Sequence, residues 1–373
     1  MSKAAELAAL IGGYGQGSPL TGRNMIVNGA FQVDQKNRTS TATGSGGSKF
    51  VDGWRQGQSN VGQLSVESSR TADAPSSFQG NYSCKIQVKT VESSLDANED
   101  YSVYTNIEGF DCAKLQYGTA NAKKTTLSFW VKSSIAGTFA CNLYMPDGSM
   151  AVAQPYTISS ADTWEYKTLT WAANTGQAIT IDNTPGLQVQ WMISVGSNST
   201  GGSDGDEWHT WTANKWAFGH TTNTHVTTDE STFQLTGVQF EIGDVATNYE
   251  HLPYDAELAK CQRYLFVPKA KGDATSKYFG TALYYSSSQM QVYIPHPVDM
   301  RASPTVTVSD GSNHFAMFRE SAGDYVDTIP LNSASTSMTG LYNSDDASGT
   351  AGNSGGFLAN NQNDAYIYID SFM

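Results

Sequence analysis

Trp208, Trp211, Trp216 and Phe218 crowd one polar stretch of the chain, and Tyr284, Tyr285 and Tyr325 form a second aromatic group further on. Flat apolar rings beside polar side chains are what a sugar face stacks against, and aromatics with a polar tip also anchor many interfaces. The same rings would equally fill the inside of a sandwich, and spacing alone leaves both readings open. Ahead of the first group stand Asp204, Asp206 and Glu207, whose oxygens would suit Ca²⁺; their spacing is not that of an EF-hand, and a solvated acidic turn is the simpler reading. The six histidines contain no HExxH pair, and His209, His220 and His225 would share a metal only if a loop folded back. Residues 352–356, GNSGG, stand one residue away from the nucleophile loop of trypsin-like proteases. That chemistry also needs a His base and a buried Asp, and no His stands in a setting that suggests the base. Gly13, Gly15 and Gly17 follow a helical stretch where a dinucleotide fold needs a strand. Nothing singles out a glycoside-cleaving pair among the 35 acidic residues. Cys84, Cys112, Cys141 and Cys261 form no CxxC pair and are expected as reduced thiols in the core. These residues point to binding and not to an enzyme, and to no cofactor beyond the Ca²⁺ reading left open.

Composition narrows the partners. Only 15% of the 373 residues are charged, against roughly 25% in soluble proteins generally. Ser, Thr, Asn and Gly make up the difference, with 19 Tyr and 8 Trp, a mixture suited to strands joined by polar turns. The formal net charge of −13 disfavours nucleic acid and anionic membrane surfaces as partners. No run approaches the ~18 apolar residues that span a bilayer, so no membrane insertion is expected. The opening MSKAAELAALIGG has one early Lys and Glu6 inside its apolar stretch, which makes a poor signal peptide.

The elements that must position these residues are read from periodicity. Residues 3–11 have helical spacing, too short to be stable alone, and Gly12 to Gly17 supply a joint. They read either as a tail or as an anchor that orders only in an assembly. From Asn24 the period is 2, the mark of half-buried strands. Leu64 and Val66 alternate, as do Cys84, Ile86 and Val88; Leu127, Phe129 and Val131; Phe139, Cys141 and Leu143; and Leu187 to Val195. Trp164–Trp171 reads as a strand with Glu165 and Lys167 on its polar side, and Phe233–Ile242 as a strand with a bulge at Gly237. A Pro-containing connector, 248–254, and a short helix, 256–264, mark a domain boundary. Strands resume at 278–285, 290–294, 305–308, 314–318 and 366–370, with 332–356 as exposed loop. The expectation is an all-β chain: an N-terminal helix and glycine linker over 1–23, a jelly-roll β-sandwich over 24–250, and a smaller C-terminal β-sandwich domain over 251–373 behind one short helix.

Several segments resemble tail-fibre-like virion proteins of tailed, marine-type bacteriophages. They are KAAELAALIG, GRNMIVNGAFQVDQ and Asp52-Gly53-Trp54 near the start. TLSFWVKSS, SADTWEYKTLTW and FQLTGVQFEIGDVATNYEH are similar to that family's carbohydrate-binding-module-like jelly roll. ELAKCQRYL and PHPVDMRASPTVTV are similar to the β domain that follows it. The resemblance implies a homotrimeric tail fibre, assembled in the host cytoplasm and released by lysis, that touches host-surface polysaccharide and other virion tail or capsid proteins. The resemblance supplies no shared binding residues; by their own chemistry Leu7, Leu10 and Ile11 would attach the chain to the particle, and Trp208, Trp211, Trp216, Tyr284, Tyr285 and Tyr325 would meet the glycan. A head fibre or capsid decoration without a receptor role shares every one of these features. A depolymerising tailspike would instead show β-helix repeats, which this chain lacks.

Overall fold

Where apolar residues alternate, the chain is in strands, and their inward side chains meet between two sheets. The computed structural model describes residues 22–36, 40–43, 46–202, 205–222, 224–273, 275–319, 322–360 and 363–373. Leu7, Leu10, Ile11, the 3–11 helix and Asp204 lie outside them. The described residues form two compact units, one running through Asp34 and from Ser40 to Tyr254, the other comprising Gln35, Lys36 and the chain from Asp255 onward.

The first unit is a sandwich of two antiparallel sheets. One has six strands in the order Ser40–Thr43, Ser65–Thr71, Ser83–Thr90, Thr232–Ile242, Thr125–Ser133, Glu165–Trp171. The other has seven: His209–Thr210, Met150–Ile158, Gly137–Met145, Pro185–Val195, Asp100–Glu108, Arg55–Ser59, Gly46–Lys49. Between them lies one core in which Trp54, Trp171, Trp191, Phe129 and Phe233 are fully buried. Phe129 meets Trp191 edge-on at 5.6 Å and Trp54 lies 5.5 Å from Trp191, geometries that suit the ring quadrupole. All four cysteines are free and buried; burial pushes the Cys84 thiol up to about 12.

The motif residues near the start staple this sandwich. Asn28 is 1% exposed, and its Nδ2 donates to the carbonyls of Val33 (2.8 Å) and Asp52 (2.9 Å) while its Oδ1 accepts from the Val33 amide. The next residue must be glycine, because a Cβ on Gly29 would stand 2.1 Å from the Val238 carbonyl oxygen. At the other end of the unit, the Glu250 carboxylate accepts from the amides of Gly22 and Asn24. NGAF, DGW and NYEH thus close the sandwich on itself. Gly237, at φ +59°, sits in the register shift between Thr236 and Gln239, the bulge expected there.

The second unit pairs a three-stranded sheet (Leu265–Lys269, Ile367–Asp370, Thr305–Val308) with one of seven strands. The larger sheet runs Ala322–Val326, Phe315–Arg319, Ser354–Ala359, Lys277–Ser286, Gln289–Pro295, Met338–Asn343, Leu331–Ala334. Ile367 and Ile369 of the smaller sheet join Phe315, Phe357, Val292 and Leu341 of the larger in one core.

Three local expectations change. Glu165 and Lys167 share the face of Leu169 and Trp171, with Tyr166 45% exposed on the other side. The inward position at the strand's start is tolerable because Glu165 accepts from the amides of Ser159 and Ser160, both at 2.8 Å, and from Lys167 at 2.6 Å. Residues 332–356 are not loop throughout: Met338–Asn343 is a paired inner strand, with Thr339, Leu341 and Asn343 buried, and Ser354 opens another. The composition hides this because two of the three inward residues are polar. Asn343 Oδ1 accepts from the amides of Asp345, Asp346 and Ala347, and Thr339 Oγ1 bonds His296 Nε2 at 2.8 Å. The short helix runs Tyr254–Gln262, two residues earlier than its apolar spacing suggests.

Candidate functional site

The outer face of the seven-stranded sheet in the first unit gathers side chains from five separated segments. Register places Arg55 opposite Tyr104, Tyr104 opposite Gln190, and Gln190 opposite Asn142, so the four share one face. A second row runs Asn106, Gln188, Tyr144. Gln190 Nε2 donates to Ser102 Oγ at 2.6 Å, and Asn142 Nδ2 donates to the Trp216 carbonyl at 2.9 Å. Both residues are buried, at 6% and 0% exposure, yet neither Gln190 Oε1 nor Asn142 Oδ1 receives a hydrogen bond from the described residues. A buried acceptor left without a donor costs about 1–3 kcal/mol. Both oxygens are enclosed by the protein, and the half-buried side chains of Tyr104, Tyr144 and Gln188 are what this face presents outward.

The aromatic cluster divides here. Trp216 follows a short 3-10 turn at Ala213–Lys215 and lies edge-on to Tyr144 at 5.4 Å and to Trp211 at 6.1 Å. It packs against Ala140, Met192, Val195 and Ala217 on the outer side of the sheet, while Trp211 is 44% exposed. These three rings border the amide row. Trp208 does not join them: its Nε1 donates to the Ala172 carbonyl at 2.8 Å and its ring meets Tyr117 at 5.7 Å against the main core. It is a packing residue.

In the second unit the expected tyrosines also separate. Tyr284 is fully buried, donates its hydroxyl to Asp324 and lies under the Arg319 guanidinium, so it belongs to the core and cannot meet a ligand. Tyr285 and Tyr325 are 67% and 42% exposed. Sequence reading missed Tyr104, Tyr144, Asn142, Gln188 and Gln190. Each stands on the outward beat of an alternating strand, the one signal available, but nothing in the spacing shows that they meet.

The titratable groups assemble less. Among the described residues no three His, Cys, Asp or Glu side chains come together as a metal site. His209 Nδ1 lies 2.9 Å from the Glu207 carbonyl, and His225 is fully buried with Ser231 Oγ at 3.2 Å from its Nδ1. Asp206 and Glu207 are exposed. A cleft of about 440 Å³ between residues 120–124 and 242–244 holds Lys123, Lys124 and Asp244 but no aromatic ring.

No protein-family model and no curated protein matches the chain, so the resemblance to tail-fibre-like proteins has no family match behind it. Solved structures similar to it include the enzymatically active domain of tailspike protein 4 of bacteriophage CBA120, at 12% identity and a TM-score of 0.31 over 59% of this chain. This chain spans 21% of that one's length. Also similar are TmCBM61 in complex with β-1,4-galactotriose, at 11% identity and TM-score 0.28, covering 59% of this chain and 99% of that one, and the family 11 carbohydrate-binding module of the Clostridium thermocellum cellulase Lic26A-Cel5E, at 12% identity and TM-score 0.27, covering 55% and 99%.

Proposed function

We propose that the chain is a structural virion appendage, a homotrimeric tail fibre that binds host-surface polysaccharide and performs no catalysis. It is made in the host cytoplasm and leaves by lysis. The observation that carries glycan binding is the junction of the accessible rings Tyr144, Trp211 and Trp216 with the outward amide of Gln188, which pairs with Tyr144. Rings offer stacking to the apolar face of a sugar, and amide oxygens accept from its hydroxyls, the combination that fixes a polyhydroxylated ligand on a rigid sheet. The appendage role is supported by the resemblance of NGAFQVDQ, DGW and the 233–251 segment to phage fibre proteins, and by the succession of two β units. Weak contacts suffice for such a protein, because several copies raise avidity by about 10²–10⁴.

The test is a glycan microarray together with adsorption of the purified chain to host cells. Wild type binds, and Trp211→Ala combined with Gln188→Ala weakens binding at least tenfold with no change in oligomeric state. Unchanged binding would remove this face from the proposal. Antibody label on capsid faces of intact particles would replace the tail fibre with a head decoration.

A further inference from the structure

The outer face of the second unit's large sheet carries a single cross-strand row in which aromatic residues alternate with glycine. Register sets Gly323 opposite Phe318, Phe318 opposite Gly356, Gly356 opposite Thr281, Thr281 opposite Tyr293, and Tyr293 opposite Gly340. Each ring lies where the neighbouring glycine has no side chain. A Cβ on Gly323 would stand 2.9 Å from the Phe318 ring, and one on Gly340 would stand 3.3 Å from the Tyr293 ring. Tyr278, from the adjoining row, reaches over Gly356 in the same way, at 2.9 Å. A ring lying across a glycine has one face on the backbone and presents the other outward. Tyr278 is 65% and Tyr293 39% exposed.

The rings are set at steps of two and then three strands. In sheet order Phe318 covers the first strand, Tyr278 the third and Tyr293 the sixth, each reaching sideways from an adjacent strand. With strands about 4.8 Å apart, the first two ring positions fall roughly 9.6 Å from one another along a line across the strands, and the second and third roughly 14.4 Å. These intervals are about those of two and three units of an extended polysaccharide. No charged side chain stands in these rows: Thr281, Ser333 and Gln291 supply neutral hydroxyl and amide groups, while Asp324 and Arg319 turn to the buried side toward Tyr284.

We infer that this row is a second glycan site, a platform on which a linear, uncharged polysaccharide lies across the strands and stacks sugars two and then three units apart on Phe318, Tyr278 and Tyr293. The site rests on the glycan-binding reading above and adds to it the ligand's charge, its extended shape and its place. The experiment measures binding of the full chain to immobilised neutral oligosaccharides of the cello, xylo and galacto series, from disaccharide to hexasaccharide. Four proteins are compared: wild type, Tyr278→Ala with Tyr293→Ala, Gly340→Val, and the Trp211→Ala with Gln188→Ala variant. Wild-type affinity is expected to climb with chain length. The tyrosine variant is expected to lose at least tenfold on the hexasaccharide and far less on the disaccharide, with its denaturation midpoint in place, and Gly340→Val, which displaces one ring, to lose an intermediate amount. Wild-type binding that survives the tyrosine variant would overturn this site and leave the first face standing. A tyrosine variant that changes oligomeric state while keeping its affinity would reassign the row to contacts between copies. Absence of wild-type binding across the whole array would defeat the glycan reading itself.

Discussion

In the first unit Trp54, Trp171 and Trp191 are wholly buried between the sheets, whereas in the second Tyr278, Tyr285 and Tyr293 stand 65%, 67% and 39% exposed. All eight tryptophans precede Tyr254, and the second unit holds none. Buried rings contribute cohesion, because they exchange water for close-packed neighbours. Rings laid on the outside of a sheet contribute less, about 0.2–1 kcal/mol for a cross-strand pair. Each unit carries both kinds, with Trp211 44% exposed in the first and Tyr284, Phe315 and Phe357 wholly buried in the second. The two units can be followed separately, because tryptophan emission reports the first unit alone.

The largest effect expected is that of Trp54→Ala. Trp54 is 0% exposed, 4.8 Å from Phe31 and 5.5 Å from Trp191. Truncation leaves a cavity and costs about 3–5 kcal/mol, read as a lowered urea midpoint in tryptophan emission. A loss under about 1 kcal/mol, the range of an exposed cross-strand ring, would erase the distinction between buried and exposed rings.

Next comes a pH effect confined to the first unit. Burial lowers His225 from 6.5 to about 4. Between those values the unfolded chain holds a proton that the folded chain does not, so stability falls as pH drops through that window. The full loss is on the order of 3 kcal/mol. Asp100, raised by burial to about 6, acts with the opposite sign. The difference between wild type and His225→Gln cancels the Asp100 contribution, and that difference should shrink steadily from pH 6.5 to 4. A pH-independent difference would mean that His225 does not carry the effect.

A smaller change sharpens the comparison from the other side. Lys269 is 0% exposed, and its Nζ has no hydrogen-bond partner among the described residues; burial lowers its pKa. A buried ammonium without a hydrogen-bond partner costs stability, a cost the Asp273 charge offsets in part. Lys269→Met should raise the stability of the second unit by about 1 kcal/mol, followed by the near-ultraviolet dichroism of its tyrosines. In the wild type the unfolded chain binds more protons between the lowered value and 10.5, so that unit gains stability as pH rises through this range. The variant should lose that slope, and a slope that persists would exonerate Lys269.

Much of the architecture was legible before any coordinates. Leu127, Phe129 and Val131 face the core because side chains in a strand alternate, and the bulge at Gly237 follows from a glycine inside a strand pattern. Composition alone excluded a helical protein. The reading slipped where polarity and burial part company. Glu165 and Lys167 look solvated but pair on the inward side of a strand, and the Ser- and Asn-rich 338–343 segment looks like loop but fills an inner strand with satisfied polar groups. Neither was visible in the composition, because a hydrogen-bonded polar side chain is tolerated where an unpaired one is not.

The two proposed faces were not legible in the sequence. Arg55, Tyr104, Asn142 and Gln190 come from four strands, and Phe318, Thr281, Tyr293 and Gly340 from four others. Alternation along one strand determines which side a residue takes, and that much is local, a property of backbone sterics that the sequence carries unaided. Which residue of a distant strand it then stands beside is set by register. Register depends on bulges, turns and the fit of a whole core, a sum of long-range contacts that appears only when the sheets have closed.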